Sequence, residues 1–128
     1  MRIAAAPPGI SPDVLGYSFV EPQTRTGVLA TVLADRVSRS ALRAAIRFDV
    51  LLGRTLAHEL GHLLLGTNAH ARAGLMQANW SNTDLRGSPA AMRFSAQDAE
   101  RMVLGLSQRH IATTFADLPA TDFAAAQR

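Results

Sequence analysis

The spacing of apolar residues changes along the chain, and each change predicts an element. Residues 1–14 hold Pro7, Pro8, Gly9 and Pro12 and predict an irregular arm. Leu15 to Val20 (LGYSFV) carries aromatic and β-branched residues and predicts a short strand. Glu21 to Thr26 is polar with a proline and predicts a turn. Gly27 to Val37 (GVLATVLADRV) is rich in valine and leucine and predicts a second strand, paired with the first as a hairpin. The period then lengthens: Leu42, Ile46, Val50, Leu56, Leu60 and Leu64 recur at helical spacing. They predict one long helix ending at Leu65, or two joined near Gly53, capped at Ser38 or Ser40. Gly66 stands where a left-handed helix terminus belongs.

Thr67 to Gly87 shows no sustained period and predicts a long loop, which in small domains is usually either functional or disordered. Ser95 with Asp98 forms a variant capping box, and Ala99, Met102, Val103 and Leu106 make the apolar stripe of the helix that follows. Thr113 to Arg128 is alanine-rich, contains Pro119 and predicts a flexible tail or one short helical turn. Strands followed by helices predict an α+β fold, with residues 1–128 forming a single domain.

Composition narrows the chemistry. The 128 residues suffice for one core, and no apolar run reaches the length of a membrane span. The apolar triplet in MRIAAAPPGI is too short for a secretory signal, so a cytoplasmic location is the default expectation. Secretion would need a precursor segment ahead of Met1. Cysteine is absent, which excludes disulfides and thiolate ligands and leaves His, Asp, Glu and water to hold any metal. Net charge is +3 and all 13 basic residues are arginines. They are spread from Arg2 to Arg128, and the closest set, Arg36, Arg39, Arg43 and Arg47, fits one solvated helical face. No nucleic-acid partner is expected from so dispersed a pattern.

The densest chemistry is the stretch HELGHLLLGTNAHARAGLM, His58 to Met76. Residues four apart on a helix lie about 40° apart around the axis, so His58 and His62 point the same way. Two imidazoles so placed can grip one cation, and zinc suits them. Glu59 is turned about 100° from His58, beside a metal rather than on it. There it can take a proton from a water that the metal has acidified. A third protein ligand is needed, and His70 is expected to return to the metal after Gly66 ends the helix. Glu100, a downstream acid on the last helix, is the rival third ligand, and Asp84 a second rival. His110 is expected to be structural, at a helix end, and Trp80 to line a pocket or pack in the core.

HELGHLLLGTNAH followed by GLM resembles the metzincin zinc peptidases. It is closer still to a group of small bacterial proteins predicted to be zinc proteases, in which a strand ending Asp-Arg-Val, here Asp35-Arg36-Val37, precedes the motif. The resemblance is tight over about residues 56 to 80 and loose over about residues 15 to 111. It implies a minimal metzincin-like fold, with a small mixed sheet, a long active-site helix and a C-terminal helix. It implies a zinc cofactor on His58, His62 and His70, Glu59 as the catalytic residue, and a peptide or protein substrate. Gly74-Leu75-Met76 would be the tight turn that sets Met76 beneath the metal. Gly27 to Val37 would be the upper edge strand, free to pair with an extended substrate. The gluzincin arrangement, with an acid as third ligand, and a zinc-binding domain without turnover are the alternatives. Two features differ from metzincins. Three residues separate His62 from Gly66 and three separate Gly66 from His70, where the family has two and two. Gln77, Ala78, Asn79 and Trp80 follow the methionine, where many members have a tyrosine.

Overall fold

The computed structural model describes residues 1–116, with side chains as far as His110. Three strands and four helices make a mixed α+β fold, as expected: β1 (Arg2–Ala4), β2 (Gly16–Glu21), β3 (Thr26–Leu33), α1 (Ala34–Ala44), α2 (Phe48–Leu65), α3 (Asn82–Arg86) and α4 (Ala96–Ala116). A single 3-10 turn, Pro89–Ala91, lies between α3 and α4. No helix among the described residues is long and apolar enough to cross a membrane.

The sheet runs in the order β1-β3-β2. The hairpin of β2 and β3 forms as predicted, antiparallel from Gly16↔Val32 to Glu21↔Thr26. The arm of residues 1–14 is not wholly irregular, because Arg2, Ile3 and Ala4 pair in parallel with Thr31, Val32 and Leu33. That pairing puts β3 in the centre of the sheet, so Gly27–Val37 is not the edge strand; β1 and β2 are the edges. The strand also stops earlier than expected. Asp35-Arg36-Val37 forms the first turn of α1, where the Asp35 carboxylate accepts from the Ala6 amide at 2.8 Å and from Arg39 at 2.8 Å. An acid in the first turn of a helix is favoured by the dipole, and the extended reading of these residues neglected it.

A bulge sets which face of β3 is buried. Phe19 pairs with Leu29 and Val20 with Gly27, which leaves Val28 unpaired and 73% exposed. The extra residue turns Gly27, Ala30 and Val32 to the same side. A Cβ on Gly27 would come 2.5 Å from the Leu63 Cα, so the missing side chain lets α2 lie directly on the sheet. Ser18, opposite Ala30, and Gly16, opposite Val32, consequently face α2 as well.

The helical break falls at Ala45, not Gly53. Ala45 adopts a left-handed conformation, φ 52°, and its amide reaches the Leu42 carbonyl at 3.2 Å. Gly53 lies inside α2 with open space around it, at a cost of about 1 kcal/mol relative to alanine. The expected apolar stripe is also rotated. Leu42 is 78% exposed and Leu60 is 43% exposed, whereas Val37, Ala41, Ala44 and Leu51 are buried. These last four pack with Val32, Leu75, Leu85 and Met92 into the core. The inward face of α2 continues as Thr55, His58, Glu59, Gly61 and His62.

Thr67 to Gly87 contains one helix that the loop assignment missed, α3. Ser81 accepts from the Asp84 amide at 3.1 Å while the Asp84 carboxylate accepts from the Ser81 amide at 2.8 Å. The equivalent box at Ser95 and Asp98 opens α4 as predicted. Gly66 ends α2 with φ 62° and ψ 37°, also as predicted. Residues Thr113 to Ala116, expected in the tail, continue α4, and the rest of that tail lies outside the described residues.

Candidate metal centre

α2 presents His58 and His62 on its inward face, 7% and 4% exposed. Their Nε2 atoms are 3.0 Å apart. Two nitrogens on a tetrahedral zinc, each at 2.0–2.1 Å, would be about 3.3 Å apart, so the observed spacing fits a shared ion. The Nδ1 atoms decide the tautomer. His58 Nδ1 lies 2.7 Å from the Leu75 carbonyl oxygen and His62 Nδ1 lies 2.8 Å from the Thr67 carbonyl oxygen. A carbonyl only accepts, so each Nδ1 carries the proton and each neutral ring has a bare Nε2. Two lone pairs then face one another, an arrangement that calls for a cation between them. A proton is a poor candidate, because burial holds both imidazoles below their usual pKa, against the raising effect of the two carbonyls.

His70 completes the cluster. The ligand atoms of His58, His62 and His70 all lie within 4.8 Å of one another, a group able to hold a metal ion. The ring of His70 stacks on His58 at 5.3 Å and meets His62 edge-on at 4.8 Å. Backbone contacts bring the loop back over the longer spacing. Gly66 and Thr67 amides both donate to the His62 carbonyl, and the Ala71 amide donates to the Met76 carbonyl at 2.8 Å. His70 is thereby clamped between the end of α2 and the Gly74–Gln77 turn. Neither rival acid joins the cluster. The Asp84 carboxylate is engaged by Ser81, and Glu100 lies exposed on α4 beside Val103 and Leu104. His110, on α4, is likewise outside it.

The tight turn is present. Gly74 has φ 82°, a conformation suited to glycine, and a Cβ there would meet the Arg93 carbonyl at 2.9 Å. Leu75 gives its carbonyl to His58 and Met76 is 2% exposed. A Cβ on Gly61 would stand 2.5 Å from the Met76 Sδ and 2.8 Å from the Phe94 ring. The glycine inside HELGH is thus the seat of the methionine. The motif by itself leaves that position open.

Glu59 lies beside the histidines, 4% exposed. Its Oε2 accepts from the Ser18 hydroxyl at 2.6 Å, and a Cβ on Gly16 would crowd its Oε1 at 2.8 Å. Burial raises the pKa of the carboxyl, and the Ser18 hydrogen bond and the His62 charge pull it back. Ser18 and Gly16 have no signal in the sequence, since their partner is 41 or more residues away.

A cleft of about 960 Å³ opens over these groups. Leu15 to Ser18 form one wall, His70 and Gln77 to Trp80 the other, and Thr55, His58, Glu59 and His62 the floor. Trp80 stands edge-on to His58 at 5.4 Å; it lines the cleft and also packs against the core. β2 pairs with β3 on one side only, and its other edge is unpaired by any described strand.

The chain matches no family model, no curated protein and no solved structure. The site consists of three imidazoles within reach of one ion, a buried carboxylate beside them, and a cleft that gives access to both.

Proposed function

We propose that the protein is a zinc-dependent peptidase with a minimal metzincin-like arrangement. The observation that carries this reading is the pair of Nε2 atoms 3.0 Å apart, each ring with its Nδ1 on a backbone carbonyl, and Glu59 on the same buried face of α2. An all-imidazole donor set without thiolate suits zinc among the abundant divalent ions. His58, His62 and His70 would hold it, with one position left for water or substrate. A bound zinc ion supplies Lewis acidity, lowering the pKa of a water and polarising a carbonyl.

The remaining steps belong to the chain. Glu59 accepts the proton of the attacking water and delivers it to the departing amine. A carboxyl with a raised pKa suits both halves of that transfer, because it holds the proton long enough to return it. Ser18 fixes the carboxylate from above and keeps one oxygen occupied while the other works. An extended peptide can pair with the free edge of β2, which takes the place of β3 as the upper edge strand. That pairing would set the scissile carbonyl over the histidines.

The test is metal content and peptide-library cleavage in Glu59→Ala and His62→Ala proteins. Glu59→Ala should keep stoichiometric zinc and lose hydrolysis; His62→Ala should lose both. Hydrolysis unchanged in Glu59→Ala would reject the mechanism. Stoichiometric zinc with no cleavage by the unsubstituted protein would leave a zinc-binding domain without turnover.

A further inference from the structure

The cleft continues past the histidines. Thr55 lies three residues before His58 on the inward face of α2, and it too lines the cleft. At that end α1 contributes Ser40 and Arg43, with Leu85 of α3 opposite. Arg43 is the one cationic side chain among the cleft-lining residues.

Several arginines near it in the chain are engaged within the protein. Arg39 pairs with Asp35, Arg47 pairs with Asp49, and Arg54 donates to the Leu85 carbonyl. Arg43 makes no hydrogen bond or ion pair with any described residue. Asp13, which lines the same cleft, does not engage it. Nor is it needed to cap α1, because the Ala45 and Ile46 amides already serve the Leu42 and Ala41 carbonyls. Arg43 is exposed where it lines the cleft, and its planar fork of donors, without a partner there, matches a carboxylate in charge and geometry.

We infer that Arg43 binds a carboxylate of the substrate at the end of the cleft beyond His58, which makes acidic peptides the preferred class. The inference rests on the peptidase reading for its substrate, but its observable is binding. The carboxylate can be an Asp or Glu side chain, or the C-terminus of a peptide that ends there. Either source would place the scissile bond at a set distance from the negative charge, so Arg43 acts on specificity and takes no part in proton transfer.

The test uses the full chain loaded with zinc and carrying Glu59→Ala, so that peptides persist. The fluorescence of Trp80, the sole tryptophan, reports occupancy of the cleft. The probes are acetylated alanine-rich hexapeptides that differ by Glu against Gln at one position, each with a free or an amidated C-terminus. At least one carboxylate-bearing probe should bind about tenfold or more tightly than its neutral counterpart. Arg43→Ala should abolish that difference, with zinc content and affinity for the neutral probe unchanged. A preference that survives amidation marks a side-chain carboxylate; one lost on amidation marks the chain end. Equal binding of every pair, or no binding, overturns the proposal, as does a preference that persists in Arg43→Ala. Failure of the peptidase reading is separate: an unsubstituted protein that cleaves none of these peptides yet shows an Arg43-dependent preference keeps the carboxylate site and loses hydrolysis.

Discussion

The Ser18 hydroxyl sits 2.6 Å from Glu59 Oε2 and 3.0 Å from the Glu59 carbonyl oxygen, joining the edge strand β2 to α2. This contact holds the Glu59 carboxylate in place and lowers the pKa that burial raises. In Ser18→Ala the lowering effect is gone, so the carboxyl titrates at higher pH. The acid limb of the pH–rate profile should move upward, with zinc content unchanged. Ser18→Thr, if the methyl is accommodated, should restore the limb. A profile identical to that of the parent would show that the hydroxyl serves only to join the strand to the helix.

His70 differs from the other two histidines in being exposed and on a loop. His58→Ala and His62→Ala each remove a ligand already aimed by a backbone carbonyl, and should abolish stoichiometric zinc at micromolar concentrations. His70→Ala should weaken zinc by a smaller factor, about 10- to 100-fold, comparable to the loss of a supporting group. Asp84→Ala and Glu100→Ala should leave zinc affinity alone. Asp84→Ala should instead lower stability slightly through loss of the carboxylate half of the α3 capping box. Competition with a chromogenic chelator measures the first three effects and thermal unfolding the last.

The metal-free protein should lose stability on mild acidification. The folded-state pKa values of His58 and His62 lie below the ordinary 6.5, because burial disfavours their charged forms. As pH falls through 6.5 the unfolded chain takes up protons that the native rings refuse, so stability declines until the lowered folded values are reached. The slope is at most about 1.4 kcal/mol per pH unit for each ring. Glu59 works the other way, since its raised pKa makes the fold bind a proton above 4.5, but one carboxyl opposes two imidazoles. Unfolding temperature measured from pH 7 to 5.5 should fall in the metal-free protein. Added zinc should raise it at pH 7 and lose that effect as the ligands protonate.

Gly61 is the position in the motif least tolerant of a side chain. With a Cβ 2.5 Å from the Met76 sulfur, Gly61→Ala forces the turn away from α2 and should cost about 1–3 kcal/mol. The Leu75 carbonyl would shift with it, so zinc affinity should fall together with stability. Met76→Leu, which conserves volume, should cost less than about 1.5 kcal/mol and keep zinc. Denaturant unfolding and zinc titration of the same two proteins decide the point.

Local chemistry was readable from the residues themselves. HELGH on a helical period puts two histidines on one face whatever surrounds them, and Gly66 and the Ser95–Asp98 box announce helix ends through nearest-neighbour hydrogen bonds. The same rule applied to Ser81 and Asp84 would have revealed α3, a signal present but passed over. The apolar stripe of α1 and α2 was harder, because alanines at positions 41 and 44 are buried while leucines at positions 42 and 60 are not. Hydrophobicity says which residues gain from burial, but there is not enough polar surface to cover a protein, and the phase is set by what the helix packs against.

The sequence by itself determined that two imidazoles and a carboxylate share one helix, because their types and their spacing are local properties. The tertiary structure alone decided which strand forms the edge above them, whether His70 returns, and which hydroxyl holds Glu59. Those outcomes depend on pairings such as Ile3 with Val32 and Ser18 with Glu59, between residues far apart along the chain. Such contacts carry no periodic mark, and their free energy exists only once the intervening chain has folded.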